Sequence, residues 1–210
     1  MIMYLDSNSD MMQESFVISM LQEKQDGYYV EVGSGFPIQG NNTYMLENVF
    51  NWKGIGIDLN NYTVDLYNKT RTNPCINEDA LQFNYEDYFK ENNFPKQIDF
   101  LQIDIDSKTF LKSSNYGNQN LLALISLPLN KYRFSVIVFE HEYLIDYKNN
   151  GIREAQREIL SNLNYILIGQ TALEDWWIDP AIISKDIYWN EYFVNSGPNI
   201  SKVIDKGYKK

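Results

Sequence analysis

The stretch that decides the fold of this chain is GYYVEVGSG at residues 27–35, which is followed by GIGID at residues 54–58. The first apolar run ends in two glycines, and the second ends in Asp58. Glycines permit a sharp turn and let the backbone approach a ligand closely. The apolar residues of 43–50 recur at helical spacing between the two runs. The pattern predicts a β-α-β unit with a ligand-binding end, where the Asp58 carboxylate can accept both hydroxyls of a ribose.

The glycine spacing separates two classes of nucleoside-containing cofactor. A dinucleotide fingerprint needs a third glycine, because a helix that holds pyrophosphate must pack closely on the strand, and Ile38 stands at that position. S-adenosylmethionine has no phosphate, and its cationic amine favours an acid beside the loop, which Glu31 supplies. The pattern E-x-G-x-G with an acid after the next strand is typical of methyltransferases that use S-adenosylmethionine. A tight turn without a ligand remains the alternative interpretation of Gly33 and Gly35.

Composition limits the class of protein. The 210 residues include 44% hydrophobic and 15% aromatic residues, which is typical of a globular chain with a substantial core. The net charge of −10 argues against a protein that grips nucleic acid phosphates. The single cysteine, Cys75, excludes an intramolecular disulfide and is expected to be buried.

The chain shows neither a secretory signal pattern nor an apolar run near the length of a membrane span. We therefore expect no membrane insertion and a cytoplasmic location. We also expect one domain over residues 1–210. Residues 1–26 are interpreted as a helical lead-in, and residues 195–210 as a loosely ordered tail.

Strand and helix patterns alternate along the whole chain. The runs at 98–103 and 134–139 are apolar enough to be central strands of a parallel sheet, and 165–168 is a further strand. Residues 174–178 are interpreted as a turn or short strand. Helical spacing is found at 11–21, 62–70, 120–127 and 151–163. The alternation predicts an α/β fold: a Rossmann-like, doubly wound, mostly parallel seven-stranded sheet with helices on both faces.

Acidic residues stand at the carboxyl ends of most predicted strands. Because ligands of doubly wound sheets bind at that edge, these acids are candidate site residues. Like charges brought together there repel one another unless a cationic ligand, a metal ion or raised pKa values relieve them. The acids are Glu31, Asp58, Asp79, Asp104, Asp106, Glu140 and Glu142.

Four stretches together resemble the FkbM-type methyltransferases, a branch of the Rossmann-like S-adenosylmethionine-dependent enzymes. They are residues 27–35, residues 42–47 with 52–54, residues 98–106 and residues 174–177. This chain departs from the usual pattern at Pro37 and Ser107, where many methyltransferases carry glycine.

The resemblance implies an S-adenosylmethionine site and methyl transfer to a hydroxyl oxygen of a sugar, glycan or glycosylated small molecule. It places Glu31, Gly33 and Gly35 beside the methionine part of the cofactor and Asp58 on the ribose. It also places Asp79 and Ala80 beside the adenine.

Methyl transfer to a hydroxyl needs an oriented acceptor and a group that takes its proton. The candidates are His141, the only histidine, and the acids Asp104 and Asp106. A second hypothesis is Mg²⁺ held by Asp104 and Glu140, since carboxylate oxygens are its usual protein ligands.

Four residues are candidates for contacts with a small-molecule or glycan substrate. One follows the predicted strand at 134–139, and the other three belong to the stretch at 174–177. An indole face suits the apolar face of a sugar ring, although at least one of the two adjacent tryptophans can equally be a core residue. The candidates are Glu142, Glu174, Asp175 and Trp176. Two other functions stay open: a nicotinamide-dependent oxidoreductase, and a Rossmann-like binding module without catalysis.

Overall fold

A computed structural model of the protein describes residue 9 and residues 12–105, 118–142 and 151–188. The strands in these ranges are β1 (Tyr28–Val32), β2 (Lys53–Asp58), β3 (Cys75–Asn77), β4 (Gln97–Ile103), β5 (Arg133–Glu140), β6 (Ile166–Gln170) and β7 (Glu174–Ile178). The helices are α1 (Gln13–Met20), α2 (Tyr44–Phe50), α3 (Asn61–Thr70), α4 (Tyr85–Glu91), α5 (Asn118–Ser126), α6 (Gly151–Asn162) and α7 (Lys185–Tyr188).

The strands form one sheet in the order β3-β2-β1-β4-β5-β7-β6. β7 runs antiparallel to both its neighbours, and the other pairings are parallel. The chain passes from β1 outward to β3 and then returns to the other side of β1 at β4, so the switch point lies between β1 and β4. The predicted fold class, a doubly wound and mostly parallel seven-stranded sheet, is confirmed.

Two apolar layers cover the sheet. Helices α1 and α2 pack on one face through Phe16, Leu46 and Phe50, among others. Helices α4, α5 and α6 pack on the opposite face, where Phe89 and Leu124 are fully buried. Helix α3 lies on the same face as α2, since its Tyr67 reaches the hydroxyl of Tyr29. Successive strand residues point to opposite faces, which fixes the layer that each side chain joins.

Two short helices, α4 and α7, were not predicted from the sequence. The Asn84 side chain caps α4 by accepting from the backbone amide of Asp87, a local signal that the sequence does contain. Residues 174–178, predicted as a turn or short strand, form a strand in which every residue is buried. This strand lies inside the sheet between β5 and β6, and only tertiary pairing decides that position.

Cys75 is buried and free, as predicted. Its thiol lies 3.0 Å from the Ser34 hydroxyl, and burial raises its pKa to about 12.

Among the described residues, no helix combines the length and the hydropathy needed to cross a bilayer.

Candidate functional site

A cavity of about 880 Å³ opens at the carboxyl edge of the sheet, around the switch point between β1 and β4. Its walls come from the ends of β1 to β5, from the loop that precedes α2, and from the turn before β7. The residues that line it include Gln13, Gly33, Ser34, Gly35, Phe36, Asn42, Asp58, Leu59, Asp79, Ala80, Leu81, Asp104, Gln119, Glu140, Leu173 and Glu174. This is the position at which open α/β sheets bind their ligands.

Gly33 and Gly35 serve the site in different ways. Both have positive φ, +82° and +57°, which side chains disfavour. A Cβ on Gly33 would lie 1.9 Å from the carbonyl oxygen of Asp104, so this glycine lets β1 and β4 meet at the switch point. A Cβ on Gly35 would meet no atom within 4 Å, so this residue leaves open space beside the cavity.

Asp58 lies at the end of β2, where its carboxylate is held by backbone amides. One oxygen accepts from the amide of Gly35 at 2.8 Å, and the other accepts from the amide of Asn60 at 2.7 Å. The carboxylate is therefore oriented by the glycine loop itself. A carboxylate oxygen has more than one lone pair, so Asp58 can accept further hydrogen bonds from a ligand.

The turn after β3 gives the cavity a third wall. Asp79 orders this turn, because its side chain accepts from the amide of Leu81 at 2.9 Å and its carbonyl accepts from the amides of Gln82 and Phe83 at 2.9 Å each. Ala80 is buried, and its carbonyl accepts from the hydroxyl of Tyr85. The predicted residues Asp79 and Ala80 thus line the same cavity as Asp58.

Glu31 does not line this cavity. Its carboxylate is buried behind the glycine loop, where it accepts from the Asn41 side chain at 3.1 Å, the Asn42 amide at 3.2 Å and the Thr43 hydroxyl at 2.9 Å. Burial raises the pKa of Glu31 to about 7, although the positive charge of Arg71 and these hydrogen bonds act in the opposite direction. The structure therefore places Glu31 as a support for residues 41–43.

Arg71 is a central residue that the sequence analysis missed. Its guanidinium is buried, donates to Glu47 at 2.9 Å and lies 4.7 Å from the ring centroid of Tyr67. It also donates to the carbonyl of Pro37 and to the side chain of Asn41, both at 2.9 Å. Arg71 thereby fixes both ends of the loop that follows the glycines. No sequence pattern marks it, because an arginine after a helix is most often a solvated residue.

Three carboxyl groups meet at the other end of the cavity. Burial and the nearby Asp104 raise the pKa of Glu140 to about 11, and the two groups share a hydrogen bond. Burial also raises the pKa of Glu174 to about 7, while donors from Trp176 at 2.9 Å and Gln13 at 2.8 Å lower it.

The predicted magnesium site consists of Asp104 and Glu140. Among the residues that the structure describes, no group of three or more histidine, cysteine, aspartate or glutamate side chains has an arrangement that could hold a metal ion. The negative charge of Asp104 is one of the causes that raise the pKa of Glu140. The magnesium prediction is not supported.

His141 does not line the cavity. The side chain is buried, and its Nε2 lies 3.6 Å from a carboxylate oxygen of Asp175. Burial disfavours the charge of Asp175, but two hydrogen bonds from Arg157, at 2.7 Å each, and the contact with His141 outweigh it, so its pKa is lowered. His141 and Asp175 thus belong to a buried cluster between β7 and α6, on the sheet face opposite Glu174.

The remaining predicted residues are distributed as follows. Trp176 is a core residue, 3% exposed, which packs on Phe16 with ring centroids 4.6 Å apart. Glu142 is buried beside the turn at Leu173 and does not line the cavity. Asp104 and Glu174 do line it. Asp106 lies outside the described residues.

No protein-family model matches this chain, and no curated protein matches its sequence.

Solved structures of methyltransferases align with most of the chain. A candidate rRNA methylase from Clostridium thermocellum aligns over 81% of this chain and 97% of its own, with 15% identity and a TM-score of 0.51. An S-adenosylmethionine-dependent methyltransferase from Archaeoglobus fulgidus aligns over 75% and 70%, with 19% identity and a TM-score of 0.46. The N-methyltransferase NodS from Bradyrhizobium japonicum aligns over 80% and 94%, with 13% identity and a TM-score of 0.48. At 15% identity the likeness to the Clostridium thermocellum structure concerns the fold alone, and it agrees with the doubly wound, Rossmann-like sheet described above.

Proposed function

We propose that the protein is an S-adenosylmethionine-dependent methyltransferase. The observation that carries this proposal is the Asp58 carboxylate, which the amides of Gly35 and Asn60 hold at the wall of the switch-point cavity. An oriented carboxylate beside a glycine loop suits the two vicinal hydroxyls of a ribose. A phosphate-binding dinucleotide is a poorer match, because Ile38 replaces the third glycine and the described cavity wall is acidic.

The cavity residues fit this cofactor. The volume of about 880 Å³ is within the range of small-molecule sites, roughly 300–1,000 Å³, and leaves room for a second molecule. In our proposal Asp58 holds the ribose, Asp79 to Leu81 border the adenine, and the loop from Gly33 to Gly35 borders the methionine part. When bound, the cofactor supplies an electrophilic methyl group on a positively charged sulfur, which the surrounding acids favour.

The acceptor is proposed to bind at the end of the cavity that contains Asp104, Glu140 and Glu174. Asp104 lines this end of the cavity beside Glu140, and in our proposal Asp104 takes the proton of the acceptor. The side chains of Gln13 and Gln119 add amide donors and acceptors on the same wall. This mixture of carboxyl and amide groups can bind several hydroxyls, and with the FkbM resemblance it supports O-methylation of a sugar, a glycan or a glycosylated small molecule.

Calorimetric titration with S-adenosylmethionine and S-adenosylhomocysteine tests the cofactor. We expect saturable binding to the wild type, and a loss of affinity of about tenfold or more in Asp58→Ala, since hydrogen bonds to a charged group are lost. The matched control is Asp65→Ala on the exposed side of α3, which should bind as the wild type does. Absence of binding to the wild type would contradict the proposal, and titration with a reduced nicotinamide cofactor would then test the oxidoreductase alternative.

Transfer of a labelled methyl group to a panel of acceptors tests the reaction. The panel should contain sugars with free hydroxyls and, as a matched set, the corresponding amino sugars. We expect product with the hydroxyl acceptors, and a fall in rate of about 10²-fold or more in Asp104→Asn when a general base is removed. Methylation of the amino sugars alone would contradict the O-methylation proposal and leave the cofactor proposal standing.

A further inference from the structure

Asn120 is a fully buried side chain that joins the ends of β4 and β5. Its carboxamide oxygen accepts from the backbone amide of Ile105 at 2.7 Å, and its carboxamide nitrogen donates to the backbone carbonyl of Glu140 at 2.9 Å. Both groups of the side chain are thus paired, one with the chain after each strand. A carboxamide suits this task, because it carries a donor and an acceptor on one planar group.

These two hydrogen bonds lie just beyond the last paired residues of the two strands. The parallel ladder of β4 and β5 ends at Ile103 and Phe139, while Glu140 is paired with Glu174 on β7. Buried backbone groups that follow the end of a ladder need other partners. Asn120 supplies these partners and thereby fixes the separation of the two strand ends.

The hydrogen bonds of Asn120 hold the backbone around Asp104, the proposed base. The amide of Asp104 donates to the carbonyl of Val32 on β1 at 2.9 Å, and the next amide along the chain, that of Ile105, donates to Asn120. The backbone is therefore held on both sides of Asp104. The Asp104 side chain shares a hydrogen bond with Glu140, whose carbonyl accepts from Asn120. One side chain thus sets the backbone positions of both acids.

Helix α5 keeps Asn120 in this position. The helix packs on the sheet through Ala123 and Leu124, which are both fully buried. Asn120 lies in its first turn, directly after Gln119, which lines the cavity. Because the helix is anchored by its own apolar residues, the two hydrogen bonds are in place before any acceptor arrives.

Resting on the proposed function, we propose that Asn120 is a positioning residue, which holds Asp104 where it takes the proton of the acceptor. Proton transfer needs the two groups within hydrogen-bond reach, and a displacement of about 1 Å can slow a reaction about 10²-fold. Asn120 does not line the cavity, so it acts on the reaction through the acids that it holds. The cofactor is proposed to bind at the other end of the cavity, so its affinity should not depend on Asn120.

Transfer of a labelled methyl group to the hydroxyl acceptors, together with calorimetry of S-adenosylhomocysteine, tests this role. In Asn120→Ala we expect kcat to fall about tenfold or more, while the affinity for S-adenosylhomocysteine changes less than about twofold. The matched control is Asn68→Ala on α3. The Asn68 carboxamide makes the same two kinds of hydrogen bond, to the amide and the carbonyl of Cys75 at 2.8 Å each, but on the edge strand β3. This control should leave kcat unchanged.

A double-mutant cycle separates positioning of the base from support of the fold. If Asn120 acts through Asp104, the change Asn120→Ala should lower the rate of an Asp104→Asn protein less than about twofold. A further fall of about tenfold in that background would overturn the proposal, because the effect of Asn120 would then be independent of Asp104.

Amide hydrogen exchange gives a measurement that needs no ligand. In Asn120→Ala the amide of Ile105 should exchange about tenfold faster or more, while the amides inside β4 and β5 change little. Faster exchange throughout both strands would overturn the proposal, because Asn120 would then support the whole sheet. Asn120→Ser, whose hydroxyl is too short to span both strands, replaces Asn120→Ala if that variant does not fold.

Two further outcomes have distinct meanings. An unchanged kcat in a folded Asn120 variant would overturn the proposal for this residue and leave the proposed function standing. If the wild type neither binds S-adenosylhomocysteine nor methylates an acceptor, the proposed function itself fails. This second result is distinguishable because it precedes any comparison of variants.

Discussion

The two ends of the cavity use the same residue types in opposite physical states. We call the end formed by β1 to β3 the proposed cofactor end, and the end formed by β4, β5 and β7 the proposed acceptor end. At the proposed cofactor end, the Asp58 carboxylate is partly exposed and accepts from two backbone amides. At the end formed by β4, β5 and β7, Asp104, Glu140 and Glu174 come together, and burial raises the pKa of both glutamates. Each of these acids stands at the end of a strand. Its surroundings decide whether it accepts hydrogen bonds from backbone amides or has a raised pKa.

The difference follows from the backbone around each acid. The loop from Gly33 to Gly35 turns sharply and presents an amide to Asp58, so that carboxylate has donors. On the β5–β7 side, antiparallel β7 brings Glu174 directly beside Glu140 in the ladder, so each of these acids has a second carboxyl group as a neighbour. Two acids that share one wall are most stable when they also share protons.

The largest loss of stability is expected at the junction of β1 and β4, where the two ends of the cavity meet. Gly33→Ala places a Cβ 1.9 Å from the Asp104 carbonyl at a positive φ, so β1 and β4 must separate. We expect a loss in the free energy of unfolding of about 3–5 kcal/mol, or failure to fold. The matched variant Gly35→Ala carries only the cost of positive φ, about 1–2 kcal/mol, because its Cβ meets open space. Urea denaturation of both variants measures the difference, and equal losses would contradict this account of the junction.

The next largest loss of stability is expected from replacing Arg71, which supports the proposed cofactor end. Arg71→Leu leaves the buried carboxylates of Glu47 and Glu31 without their cation, so we expect a loss of about 3–5 kcal/mol in the free energy of unfolding. Lys131→Met breaks an exposed ion pair with Glu86 and should change stability little. Chemical denaturation compares the two variants. A stability of Arg71→Leu close to that of the wild type would show that the network is dispensable.

A smaller effect is expected in the pH dependence of stability, and it comes from Glu174 at the proposed acceptor end. The folded-state pKa of Glu174 is raised to about 7, so its contribution to stability is fully present below its unfolded pKa and is lost as the pH rises through 7. Glu174→Gln removes this titration. Between about pH 5.5 and about pH 8.5 the variant should gain roughly 2 kcal/mol relative to the wild type in the free energy of unfolding. A constant difference across this range would mean that Glu174 stays ionised in the folded protein.

The sequence analysis located the residues of the proposed cofactor end better than those of the proposed acceptor end, and the reason is physical. Gly33, Gly35 and Asp58 lie in one local β-α-β unit, so their spacing along the chain determines their positions in space. The pairing of Glu140 with Asp104 and Glu174 depends on three strands, one of which, β7, is inserted by tertiary contacts alone. Strand alternation also turned His141 and Asp175 away from the cavity, and one residue of register decides such a direction.

Arg71, which organises the proposed cofactor end, gave no signal in the sequence. Arg71 is buried only because α3 folds back over the loop from Pro37 to Thr43, and that packing is not encoded in any local pattern. The pattern E-x-G-x-G predicted an acid beside the ligand, and the structure places Glu31 behind residues 41–43, outside the cavity lining.

Our central claim is that one end of the cavity binds the cofactor and the other end binds the acceptor. Calorimetric titration of S-adenosylhomocysteine into the wild type, Asp58→Ala and Asp104→Asn tests it most directly. Our account predicts saturable binding to the wild type, a loss of about tenfold or more in Asp58→Ala, and nearly unchanged affinity in Asp104→Asn, which belongs to the acceptor end. No binding to the wild type, or a larger loss in Asp104→Asn than in Asp58→Ala, would contradict it.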